Sequence, residues 1–140
     1  MNYFGAVRDD RKAVRNLARV ARLLERATGG LSLTQYRVLA TVDDGGERAT
    51  HLANALAMAK PTVTGAVDGL VERGMLTRQA VPGDRRSLRI ALTAAGVVAL
   101  REAESAMADR LADVAGPDLV GRLAELGPAL DALRATWAPR

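Results

Sequence analysis

Residues 75–92 read Met75-Leu76-Thr77-Arg78-Gln79-Ala80-Val81-Pro82-Gly83-Asp84-Arg85-Arg86-Ser87-Leu88-Arg89-Ile90-Ala91-Leu92, and the rest of the chain is organised around them. Met75–Ala80 alternates as a half-exposed strand does, and Leu88–Leu92 repeats the pattern. Between them, Val81–Ser87 supplies Pro-Gly turn chemistry followed by paired arginines. The stretch predicts a β-hairpin with a basic tip. Arg78, Arg85, Arg86 and Arg89 face only Asp84 there, a net charge of +3.

The residues just before the hairpin are helical. Thr50 is placed to cap a short helix carrying Leu52, Ala53 and Leu56. A turn at Ala57–Ala59 leads to Pro61, which suits a first helical turn. Val63, Ala66, Val67 and Leu70 then form the buried stripe of a second helix, ended by Gly74. Two such helices joined by a few residues read as a helix-turn-helix. With a basic hairpin directly after it, the fold class is mainly α with a small β-hairpin wing, a winged helix-turn-helix.

Outside this unit the chain predicts further helices. Asp9–Ala27 carries Ala13, Leu17, Val20 and Leu24 on one face and Arg8, Lys12, Arg15, Arg19, Arg22 and Arg26 on the other. Thr28-Gly29-Gly30 ends it. Ser32 offers a capping hydroxyl to a helix with Tyr36, Val38, Leu39 and Val42, stopped by Asp43-Asp44-Gly45-Gly46. Thr93 caps a long helix over Ala94–Ala115, broken by Gly116-Pro117. A last helix over Asp118–Trp137 should kink or split at Gly127-Pro128. The division is an N-terminal helix (1–30), the winged unit (31–93) and C-terminal helices (94–140), intertwined as one domain. The C-terminal helices argue for dimerisation, because Leu100, Ala103, Met107 and Leu111, then Leu119, Leu123, Leu126, Leu130 and Leu133, exceed what one small core can cover.

Composition excludes several functions. The chain has 140 residues, which fits one domain, and no cysteine. Disulfide frameworks, thiolate zinc sites and thiol redox switches are therefore out. His51 is the one histidine, an exposed residue near a helix start, so no metal site and no cofactor is expected. No serine lies in a Gly-x-Ser-x-Gly context and no phosphate loop or dinucleotide fingerprint is present, so no catalytic residue is assigned and the protein is not an enzyme. No apolar run approaches the ~20 residues that span a bilayer, and no signal segment opens the chain, which places it in the cytoplasm without a membrane partner. Net charge is +4, and of the 20 basic residues only Lys12 and Lys60 are lysine. The excess runs from +4 over residues 1–30 to −2 over residues 101–140.

The chain resembles the MarR family of winged-helix transcriptional regulators. Asp84-Arg85-Arg86 followed by Leu92-Thr93-Ala94-Ala95-Gly96 is similar to the family's Asp-x-Arg wing and Leu-Thr-x-x-Gly helix start. Pro61-Thr62-Val63-Thr64 with Val67-Asp68, Leu70, Gly74-Met75-Leu76 and Arg78 is a second match. Leu33-Thr34-Gln35-Tyr36-Arg37-Val38-Leu39 is a third, and the three stand in the family's order. The resemblance implies a homodimer whose first and last helices interleave and which binds a pseudo-palindromic DNA operator, usually to repress nearby genes. It also implies a small aromatic or phenolic ligand that releases DNA. The lack of cysteine sets it apart from the thiol-switch members.

Carried onto this sequence, the resemblance puts Arg86 in the minor groove, Asp84 orienting the tip and Arg85 near a phosphate. A narrow minor groove concentrates negative potential that a guanidinium can reach. In the recognition helix the outward face is Pro61, Thr62, Gly65, Asp68, Gly69 and Glu72, with Lys60 at the N-terminal end and Thr64 to one side. Lys60, Pro61, Thr62, Thr64, Gly65 and Arg78 complete the DNA-binding set. Gly65 and Gly69 stand where members often carry a long side chain, which implies modest base readout and heavier reliance on phosphates and groove shape. Tyr36 and Trp137 are the candidate ligand contacts, against the commoner role of core or interface packing. The arginine face of the first helix reads as solvated, or bridged to Glu102, Glu104, Asp109 and Asp113. The alternative to an operator-binding regulator is a winged helix used for contact between proteins.

Overall fold

The computed structural model describes residues 3–46, 48–134 and 136, with the side chains of residues 3–8 and 85–87 outside the description. Seven helices and one hairpin follow in the order α1 (Tyr3–Arg26), α2 (Leu33–Asp43), α3 (Ala49–Leu56), α4 (Lys60–Glu72), β1 (Leu76–Val81), β2 (Asp84–Leu92), α5 (Ala94–Val114), α6 (Pro117–Ala124) and α7 (Gly127–Arg134). The mainly helical class with a two-stranded antiparallel wing is as expected.

Local chemistry accounts for most boundaries. Ser32 closes a capping box on α2: the Gln35 amide donates to Ser32 Oγ at 3.0 Å, and the Ser32 amide donates to Gln35 Oε1 at 3.1 Å. Thr93 caps α5 by accepting from the Gly96 amide at 3.0 Å. α3 and α4 meet through Ala57, which takes a left-handed conformation (φ 52°) and lets the Met58 amide donate to the Ala53 carbonyl at 3.1 Å.

Four expectations on boundaries are corrected. α1 begins at Tyr3 and not at Asp9, running through Gly5 with no proline to stop it. The cap of α3 is Arg48, not Thr50, because Arg48 is held extended by an antiparallel bridge to Arg89 and the helix starts immediately after it. β1 is shifted one residue, to Leu76–Val81. β2 starts at Asp84, not Leu88, because the turn is only Pro82-Gly83, with Gly83 at φ +82° and Val81 paired to Asp84. The additional residues of β2 are absorbed in an irregularity at Ala80/Val81. The last helix splits as the sequence predicts, into α6 and α7, with the break at Glu125-Leu126 and Gly127-Pro128 opening α7. Trp137 lies outside the described residues.

The core sits where α2, α3, α4, the base of the hairpin and the first half of α5 converge. Val38, Leu39, Leu52, Leu70, Leu76, Ile90 and Leu100 are its fully buried members. The predicted stripe of α4 is inside, with Val63, Val67 and Leu70 buried and Ala66 packed against them. α6 and α7 bury nothing. Val14 and Leu17 of α1 are 69% and 61% exposed, and Val114, Leu119, Leu126, Leu130 and Leu133 are open as well. Leu17, Val20 and Leu23 of α1 with Leu111, Val114 and Leu119 line a groove of about 620 Å³.

Candidate nucleic-acid interface

α4 and the hairpin flank one cleft. The hairpin is fastened to α5 at its base. Thr93 Oγ1 donates to the Gly74 carbonyl at 2.6 Å, and the Thr93 amide donates to the Met75 carbonyl at 3.1 Å. Gly96 packs against Met75 closely enough to leave no room for a side chain. The Leu-Thr-x-x-Gly stretch is thus a clamp between the strand base and the first turn of α5.

On α4, Lys60, Pro61, Thr62, Thr64, Gly65 and Asp68 are exposed, and open space lies beyond Gly65. Pro61 occupies the first turn and carries no N–H, no side chain caps the helix at Ala59, and the Thr62 and Val63 amides donate to the Ala59 carbonyl at 3.1 and 3.2 Å. Gly69 is a correction. It is not on the outward face: a Cβ there would stand 3.0 Å from Gln35 Nε2, so this glycine allows α4 to approach α2.

A cleft of about 230 Å³ separates α4 from the hairpin, lined by Thr50, Lys60, Thr64, Arg78 and Leu88 among others. Arg78 does not point freely outward. Its Nη2 donates to Asp68 Oδ1 across the cleft. Asp84 stands at the start of β2, just past Pro82-Gly83. The side chains of Arg85 and Arg86 lie outside the described residues, but their backbone follows Asp84 in β2 beyond the turn.

One basic element escaped sequence reasoning. The Arg48–Arg89 bridge sets the backbone of two arginines side by side at the open edge of β2, and both residues are exposed. Gly46 is pressed against the Thr41 carbonyl, 2.8 Å from where its Cβ would be, and Arg48 is extended as it enters α3. His51 is exposed in the first turn of α3, as expected.

Tyr36 is part of a polar cluster between α2 and α5. Its hydroxyl is half-buried, and burial first, then the charges of Glu104 and Asp44 and a hydrogen bond to Glu104, push its pKa above the ordinary tyrosine value. Arg101 bridges Asp43 and Glu104 at 3.0 Å each. Among the described residues Arg22 pairs with Glu25 and Arg110 with Asp113, each within its own helix, so the arginine face of α1 is solvated and not bridged to α5. No group of three or more His, Cys, Asp and Glu that could hold a metal ion occurs among the described residues. None of their helices is long and apolar enough to cross a membrane.

A MarR-family model matches residues 29–87, the span from the end of α1 to the wing. The chain is also 30% identical over 111 residues to the HTH-type transcriptional regulator PecS of Dickeya dadantii (strain 3937), covering 72% of this chain and 67% of PecS. The chain belongs to the MarR family. It is a transcriptional regulator and not an enzyme. Two solved structures resemble this MarR-family chain over nearly its whole length. CouR from Rhodococcus jostii RHA1, bound to p-coumaroyl-CoA, is 25% identical with a TM-score of 0.68, covering 91% of this chain and 90% of CouR. A cysteine-to-serine mutant of MarR from E. coli, complexed with operator DNA, is 19% identical with a TM-score of 0.69 and shares the fold, covering 93% and 99%.

Proposed function

We propose that two copies of this chain bind a pseudo-palindromic operator and repress the genes beside it. The observation that carries the reading is that the exposed start of α4, with Lys60 and Thr64, and the hairpin that bears Asp84-Arg85-Arg86 line one cleft, Arg78 and Leu88 forming the hairpin's side of it. Arg86 enters the minor groove, Arg85 meets a phosphate, and Asp84 orients the tip. Lys60 and the α4 N-terminus take phosphates, while Pro61, Thr62, Thr64 and Gly65 approach the major-groove edges. Gly65 offers the bases nothing to bond, so affinity rests on phosphates and groove shape. The operator complex of E. coli MarR, which has the same fold, supports this reading.

The exposed apolar residues of α1, the end of α5 and α6 support a homodimer, because the helices 1–30 and 94–140 leave in solvent what a second copy would cover. Two-fold symmetry then spaces the α4 helices about one DNA turn, ~34 Å, apart. A small aromatic or phenolic effector releases the DNA. The ligand of CouR, which carries a coumaroyl group, supports that class, with Tyr36 and Trp137 as its candidate contacts. The regulator works in the cytoplasm.

Selection of duplexes from a randomised pool, followed by footprinting, tests the reading. An inverted repeat with half-sites one turn apart is expected. Failure to retain any duplex in a salt-dependent way would move the protein to the class of winged helices that contact other proteins.

A further inference from the structure

Asp68 is an oddity in the proposed interface. It is a carboxylate on the exposed face of α4, where it opposes the phosphates the helix is meant to approach. Simple electrostatics makes it a liability there. Its partner explains its presence.

Arg78 of β1 pairs across the hairpin with Ile90, so its side chain lies on the same face as Leu76, which pairs with Leu92. Leu76 and Ile90 are both 1% exposed, and this is the face applied to the helices. Beyond Arg78 the inner face of the hairpin opens to solvent, while the backbone of β2 is still bridged to Arg48 at Arg89, the partner of Gln79. Ala80 is exposed, its partner Leu88 is 48% exposed, and the register breaks at Ala80/Val81. Arg78 is therefore the last residue on the inner face of β1 to be held by the helices, and what holds it is Asp68.

A tie at that point has leverage over the tip. Pro82 lies four residue steps beyond Arg78, roughly 14 Å at ~3.4 Å per step, so a swing of about 10° about the tie moves the tip by about 2 Å. That displacement is enough to take a guanidinium out of a narrow groove. The side chains of Arg78 and Asp68 remain 31% and 58% exposed, so the pair adds little to folding stability.

We infer that the Asp68–Arg78 pair is a positioning device that sets the angle of the wing against the recognition helix, so that Asp68 assists DNA binding despite its charge and Arg78 acts through Asp68 and not as a phosphate ligand. The inference rests on the operator-binding reading above.

The test is a double-mutant cycle on the full-length protein, with Asp68→Asn, Arg78→Gln and both together, titrated against the duplex that the wild type selects. Each single change should weaken binding about fivefold or more, and the double change should cost no more than the worse single one. The slope of log affinity against log salt should stay unchanged in Arg78→Gln, because no phosphate contact is lost. Asp68→Glu, which keeps the charge, should recover much of the affinity. Two results overturn the inference: additive effects, or a tighter Asp68→Asn together with a slope about 0.9 shallower in Arg78→Gln, the signature of a phosphate ligand. A wild type that selects no duplex would instead overturn operator binding itself, and the inference with it.

Discussion

Gly96 lies so close to the Met75 main chain that a Cβ on it would stand 2.0 Å from the carbonyl oxygen. That contact joins the first turn of α5 to the base of the wing, beside the bonds from Thr93 to Gly74 and Met75. The obstacle is backbone and cannot rotate away. Gly96→Ala should therefore destabilise the fold by roughly 1–3 kcal/mol, the usual range for overpacking. Thr93→Ala, which removes a cap, should cost about 1 kcal/mol. Urea unfolding curves with unchanged slopes check both, and an unaffected midpoint for Gly96→Ala would contradict the packing described.

Ala57 makes the opposite prediction. It is the one described residue other than glycine with positive φ, and the left-handed conformation costs an alanine roughly 1–2 kcal/mol that glycine does not incur. Ala57→Gly should raise the unfolding midpoint by an amount equivalent to about 0.5–1 kcal/mol after the glycine's extra chain entropy is counted. Thermal melting measures it directly.

These two sites show where sequence legibility ends. The helix-turn-helix, the hairpin, the caps at Ser32 and Thr93 and the break at Gly127-Pro128 are local signals, written in residues a few positions apart. Gly69 was misread as groove-facing because helical periodicity gives a face but not the neighbour that comes near it, here Gln35. Arg48 was missed as a strand-like residue because its partner, Arg89, is distant in sequence. The same limit hid the pairing of Arg78 with Asp68, since a basic residue in a hairpin looks the same whether it meets DNA or a carboxylate.

Tyr36 supplies a pH prediction. Its hydroxyl is half-buried beside Glu104, and its pKa is raised above 10.0 in the folded protein. A group raised on folding contributes stability that is fully present below its unfolded pKa and is lost as pH rises through the folded value. The contribution should therefore hold through neutral pH and fade only above about pH 10. Comparing wild type with Tyr36→Phe in unfolding experiments from pH 7 upward checks this, with the difference between them shrinking at the alkaline end.

The proposed dimer predicts that charge in the α1–α6 groove is not tolerated. Leu17 is 61% exposed in one chain and lines that groove with Leu119. Leu17→Asp or Leu119→Arg should leave the winged unit folded, shift sedimentation to the monomer and weaken operator binding at least tenfold, since half-sites then bind singly. A dimer undisturbed by both changes would place the interface elsewhere.

In the proposed complex the hairpin tip and α4 grip DNA together. The most direct measurement is fluorescence anisotropy of the selected duplex with wild type and Arg86→Ala at several salt concentrations. A steep salt dependence for the wild type, with a slope of about −0.9 per phosphate contact, and a loss of tenfold or more in Arg86→Ala at unchanged melting temperature are the predicted results. Equal affinities of the two proteins at matched salt would contradict it.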